Sequence, residues 1–188
     1  VTAEALTFVR SAPIVLEPCK QWPRGLDGRS GNIAPDRRAE EGRALAFAND
    51  PGWSEELAAR FALPDSAPDE DLLRAVAAAL KAWPWEQRPT WVTWVPSRTR
   101  PELVRGLARQ LADIGRIELI DAVHRTRDDS PPQARMDNSC TQAANVLGAF
   151  AYGRADGAEL PPGPCLLIDD TYRSGWTATV VAAGLRDA

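Results

Sequence analysis

The chain has 188 residues, 44% hydrophobic and 26% charged, enough apolar content to bury a core as one domain with a small appendage. A net charge of −4 excludes non-specific DNA binding as the main property of the whole surface, while leaving room for a local basic patch. The three cysteines, Cys19, Cys140 and Cys165, are odd in number and far apart. They read as free thiols of a cytoplasmic protein, not as a disulfide framework or a zinc site. No apolar run approaches a membrane span, and no signal-peptide pattern is present.

Residues 1–64 read as a small β-rich unit of short strands and turns. Strands are expected over 14–17, closed by Pro18, and over 43–47, followed by a turn at Asn49-Asp50-Pro51-Gly52. A short helix is expected over 53–61, with Ser54 as N-cap. The segment 63–68, rich in proline, is the best linker. Beyond it, residues 65–188 read as an α/β domain. Leu72, Val76, Leu80 and Trp83 fall at helical spacing, and Pro84 closes that helix. Residues 91–95 form a strand of β-favouring residues. After a tight loop, Pro101 opens a helix with its apolar stripe on Leu103, Val104, Leu107, Leu111 and Ile114. A second strand is expected over 117–120, a long polar loop over 125–141, and a third strand over 145–152. A fourth strand, 165–168, leads into a helix from about Thr177. Strands alternating with helices argue for a mainly parallel sheet flanked by helices. The chain begins at a valine in mid-pattern and stops after a helix. A further strand would normally follow there, so a piece of a longer chain lacking its last strand is expected.

The densest chemistry lies in Cys165-Leu166-Leu167-Ile168-Asp169-Asp170-Thr171-Tyr172-Arg173-Ser174-Gly175-Trp176-Thr177. An apolar strand ends in two acids, and a loop rich in hydroxyls and glycine enters a helix. Open α/β sheets bind ligands at the carboxyl ends of their strands. The N–H groups at a helix start favour an anion. Paired carboxylates accept hydrogen bonds from two ribose hydroxyls, so the chemistry called for is a ribose carrying a 5′-phosphate. The loop Pro96-Ser97-Arg98-Thr99-Arg100 follows another strand of the sheet and should approach the acids. Ser97, Arg98, Thr99 and Arg100 offer donors to an anion. His124, the only histidine, reads as a strand-end surface residue more than as a base.

The 165–177 segment resembles the phosphoribosyl-pyrophosphate (PRPP) motif of type I phosphoribosyltransferases. The stretches Gln133-Ala134-Arg135 and Asn145-Val146-Leu147-Gly148-Ala149-Phe150 look like the ComF branch of that family. The resemblance implies a ribose-binding role for Asp169 and Asp170. It also implies a phosphate turn over Thr171, Tyr172, Arg173, Ser174, Gly175, Trp176 and Thr177, a pyrophosphate loop over 96–100, and a mobile hood over 124–145. Mg2+ is implied only where PRPP binds. Arg173 and Trp176 stand where the family keeps small groups, so a narrowed or re-charged turn and poor turnover are expected. Further stretches, among them Val15-Leu16-Glu17-Pro18 and Lys20-Gln21-Trp22-Pro23-Arg24-Gly25-Leu26, resemble the region joining helicase and transferase-like modules in one branch of RecQ-type DNA helicases. No motor motif lies within these residues.

Three readings follow. A non-motor helicase module binding a phosphorylated ribose (PRPP, a nucleotide or a DNA end) ranks first. An active transferase releasing pyrophosphate ranks second, and a docking scaffold third, because fold alone does not settle function. Separately, Lys20, Arg24, Arg29, Arg37 and Arg38, interleaved with Trp22, suit contact with a single strand by stacking and phosphate pairing. A solvated, turn-rich surface is the competing reading.

Overall fold

The structure is a computed structural model and describes residues 4, 10–12, 14–48, 50, 52–127 and 138–188. Strand β1 (Ile14–Leu16) pairs antiparallel with β2 (Gly42–Ala44), Val15 opposite Arg43. The strand expected over 43–47 ends at Ala44, and Phe47 is exposed. The expected turn at 49–52 includes Asn49 and Pro51, which lie outside the described residues. Helix α1 (Ser54–Phe61) begins one residue later than expected, after Trp53. Ser54 is not its cap: Trp53 holds that position, no side chain caps the first turn, and the Ser54 hydroxyl donates back to the Asp50 carbonyl. Helix α2 (Glu70–Lys81) is capped by Asp69, whose carboxylate accepts from Leu72 N at 2.9 Å.

All of β3 (Trp91–Trp94) is buried. Helix α3 (Pro101–Gly115) follows and stops at Arg116, which takes the left-handed conformation at φ 52°. Strands β4 (Glu118–Leu119) and β5 (Val123–Arg125) come next. The expected third strand over 145–152 is corrected. Its first residues belong to helix α4 (Ser139–Val146), and only β6 (Phe150–Tyr152) is strand. Asn138 caps α4, accepting from Thr141 N at 2.8 Å and so starting a helix within the expected loop. The hood positions Gln133, Ala134 and Arg135 lie outside the described residues. Strand β7 (Cys165–Ile168) and helix α5 (Trp176–Asp187) complete the order.

The result is a mixed α/β fold with a three-stranded parallel sheet, order β4-β3-β7, flanked by helices. The side chains of β3 alternate between two faces. Val92 and Trp94 pack with Val104, Ala108 and Ala112 of α3. On the other face, Val95 packs with Val180, Val181 and Trp176 of α5, and with Leu26 and Ile33 from the N-terminal segment. Leu45, Leu57 and Phe61 pack on α2 and α3, so the first 64 residues share two hydrophobic clusters with the sheet domain. The antiparallel pair β5-β6 adjoins the sheet where Ala122 N donates to the Oγ1 of the fully buried Thr93 at 3.4 Å. Among the described residues no helix is long and apolar enough to cross a membrane.

Candidate functional site

The topology creates one crevice. The chain leaves β3 through α3 to reach β4 on one side, while β7 on the other side of β3 leads to α5. Helix α3 packs with Val92 and Trp94 while α5 packs with Val95 on the other face, so the two loops part toward opposite faces, and ligands of open α/β sheets bind in such a gap. The two segments singled out in the sequence, 96–100 and 169–175, are those two loops.

Ser97 joins them. Its hydroxyl donates to Asp170 Oδ2 at 2.8 Å and accepts from Thr99 N and Arg100 N at 3.3 and 3.0 Å. One hydroxyl therefore shapes the β3 loop and fixes the second acid. A third wall comes from β5, where Arg125 donates to the Pro96 carbonyl at 2.9 Å. Asp169 accepts from the backbone N–H of Asp170 at 2.8 Å. Its carboxyl is pushed up to about 7, first by the protein atoms crowding it and then by the Asp170 charge; backbone N–H groups and Arg125 act in the opposite direction. The residue is nevertheless exposed to water. Solvent reaching it softens the crowding, so the upward direction is what bears on its chemistry.

The turn over 171–175 is braced from far away in the sequence. The Tyr172 hydroxyl donates to the Glu17 carbonyl, and the Cys19 thiol donates to the Ser174 carbonyl at 3.4 Å. Cys19 N donates to the buried Thr179 Oγ1 at 3.3 Å. Gly175 sits at φ 78°, and a Cβ there would come within 2.5 Å of the Tyr172 oxygen. Only glycine fits this start of α5. No side chain caps that start. Thr171 and Arg173 are exposed on the turn, Ser174 and Thr177 are half-buried, and all four flank the same helix entry.

Other expected site residues are placed elsewhere. Trp176 is a core residue, stacked on Trp22 with centroids 6.0 Å apart, so its bulk is spent inside the protein and does not narrow the turn. The Arg100 guanidinium lies 3.9 Å over the Phe61 ring and donates to the Phe61 carbonyl at 3.0 Å, which ties it to the end of α1. Arg98 and Thr99 are exposed at the tip of the loop. The start of α3 is already satisfied: Asp65 accepts from Glu102 N and Leu103 N at 2.7 and 3.2 Å. Of the two helix starts in the crevice, that of α5 is the one left for an anion. His124 Nε2 donates to the Gly153 carbonyl at 2.9 Å, a β5–β6 contact apart from the acids.

Sequence reasoning missed Glu17, Cys19 and Asp65 as supports, and Arg125 as the brace on Pro96. Asp65 was visible as an acid between two prolines near a helix start. Nothing local marks the contacts of Glu17 and Cys19, which span 155 residues. Among the described residues no three or more metal-ligating side chains gather. Two carboxylates alone suit a Mg2+ carried in on phosphate oxygens, which needs only one or two protein ligands. No protein-family model, no curated protein and no solved structure matches this chain.

Proposed function

We propose that the carboxyl ends of β3 and β7 bind a ribose 5′-phosphate group, supplied by PRPP, a nucleotide or a DNA end. We place the chain as the phosphoribosyltransferase-like C-terminal module of a RecQ-type ATP-dependent DNA helicase, with the motor outside these residues. The observation that carries the binding reading is the 2.8 Å bond from Ser97 to Asp170, which draws both loops around one acid pair. The acids accept the ribose hydroxyls, and the uncapped start of α5, with Ser174 and Thr177, receives the phosphate. A hydroxyl donated to Asp169 favours its charged form, so ligand binding draws its proton off. Where PRPP is the ligand, Mg2+ offsets the charge of the pyrophosphate. The helicase assignment rests on the sequence resemblance alone.

The test is calorimetry on one sample with PRPP plus Mg2+, nucleotides and 5′-phosphorylated single strands. Asp169→Asn combined with Asp170→Asn should weaken binding at least tenfold while the fold persists, two charge-assisted hydrogen bonds being worth roughly 3 kcal/mol or more. Unchanged affinity in the double variant ends this reading. A second reading is Mg2+-dependent transfer from PRPP, in which Asp169 and Asp170 hold the ribose and the donors of the 96–100 loop receive the pyrophosphate. Acceptor-dependent release of pyrophosphate is its measurement.

A further inference from the structure

The basic segment around Trp22 borders a second site. A cleft of about 280 Å³ lies between the N-terminal turns and the later part of α5, and no residue lining it belongs to the acid pair or to either loop of the crevice. Trp22, Arg29, Arg37, Tyr152, Gly184 and Asp187 are among its walls. Trp22 is fixed by its stack on the buried Trp176 and carries the Arg29 guanidinium 4.8 Å over its ring. That guanidinium makes no hydrogen bond among the described residues. Arg37 is held by an ion pair to Asp187, while its Nε is buried without a hydrogen-bond partner. An orphaned guanidinium donor is costly and calls for an acceptor. Tyr152 packs against Gly184, where any Cβ would collide with the ring, so the glycine makes room for the tyrosine in this wall.

We propose that this cleft binds a nucleoside monophosphate unit, either free or as one nucleotide of a single strand. Two guanidinium forks match phosphate oxygens. Aromatic Trp22 and Tyr152 in the walls suit contact with a base. The volume is near the lower limit for small-ligand clefts, roughly 300 Å³, and suits one nucleotide better than two. Arg29 and Arg37 bring two positive charges to the cleft, and Asp187 already pairs with one of them. Asp187 is then the internal competitor that the phosphate must displace from Arg37.

The test is calorimetry of the whole chain with 2′,3′-dideoxythymidine 5′-monophosphate, which lacks the hydroxyl pair an acid-pair site would hold. Dideoxythymidine, inorganic phosphate and an oligothymidylate of roughly ten nucleotides are the other arms. The monophosphate should bind about tenfold or more tightly than the nucleoside or phosphate alone, and Arg29→Ala should cost about tenfold. Asp187→Asn should tighten binding severalfold, which a merely structural role for Asp187 would not do. Competition between oligothymidylate and monophosphate, with a salt dependence that drops when Arg29 is removed, identifies a strand as the source. Binding of the monophosphate alone identifies a free nucleotide. Thermal melting checks that each variant is folded. No binding by the folded parent, equal affinity in Arg29→Ala, or weaker binding in Asp187→Asn overturns the proposal.

Discussion

Asparagine at position 169 keeps the shape of the acid and the acceptor for Asp170 N, but removes a charge that the crevice resists. In the folded chain Asp169 holds its proton up to about 7, against an ordinary value of 3.8. Between those values the folded chain binds more protons than the unfolded chain. Stability therefore falls as pH rises through that window, and the loss is complete above the upper value. The full interval would be worth about 4 kcal/mol. The residue is exposed to water, so screening cuts this to about 1–2 kcal/mol. Asp169→Asn should accordingly raise the midpoint of thermal unfolding at pH 8 by ~2–8 °C for a chain of this size. Near pH 3, below the ordinary value, where the acid is protonated in the folded and the unfolded chain alike, the two proteins should melt together. The assay is thermal denaturation followed by circular dichroism at both pH values. A variant that melts lower than the parent at pH 8, or a gain of the same size at both pH values, refutes the electrostatic account. A gain in stability paired with a loss of ribose-phosphate binding is the pattern of a site kept at a cost to the fold.

Gly175→Ala should destabilise by about 2–3 kcal/mol, since it adds a strained positive φ to a clash with Tyr172 and Cys19, and chemical denaturation measures the loss. Asp65→Ala should cost about 1 kcal/mol by uncapping α3, visible in the same denaturation experiment; Asp65→Asn should recover most of it. Burial pushes the Cys165 thiol up to about 12, so it should alkylate far more slowly at pH 8 than Cys19 or Cys140, as mass spectrometry of timed samples would reveal.

The parts of the fold legible in the sequence are those where one local pattern dominates. In β3, Trp91, Val92, Thr93 and Trp94 are all β-formers and all buried, as expected of a strand covered on both faces. In α3 a proline at the start and five apolar residues at helical spacing leave no rival reading. Residues 139–152 carry two competing patterns. Cys140, Ala143 and Val146 have helical spacing, but they run into the apolar stretch from Leu147 to Tyr152, which reads as strand. The Asn138 cap decides for a helix, and the chain changes state at the Gly148 turn, φ 71°. A cap followed by only eight helical residues is too weak a signal to outweigh an adjoining apolar run.

The same division runs through the candidate site. The positions of Asp169, Asp170 and Gly175 were legible because each is set within one strand–turn–helix unit: the acids end a half-buried strand, and the glycine takes a backbone conformation other residues resist. The directions of the Arg100 and Trp176 side chains were not legible, because they are decided by distant partners. The sequence places a cation beside a helix start, which suggests an anion, yet Phe61 supplies both a ring face and a carbonyl that hold the guanidinium. It places an indole in the first turn of α5, yet Trp22, more than 150 positions earlier, draws that indole into the core. Each of these contacts joins the first 64 residues to the sheet domain. The N-terminal segment is therefore part of the site's construction: Glu17 and Cys19 hold the turn, while Phe61 and Asp65 hold the loop and the start of α3. Truncating it should loosen both walls of the crevice even though the acid pair lies entirely outside it.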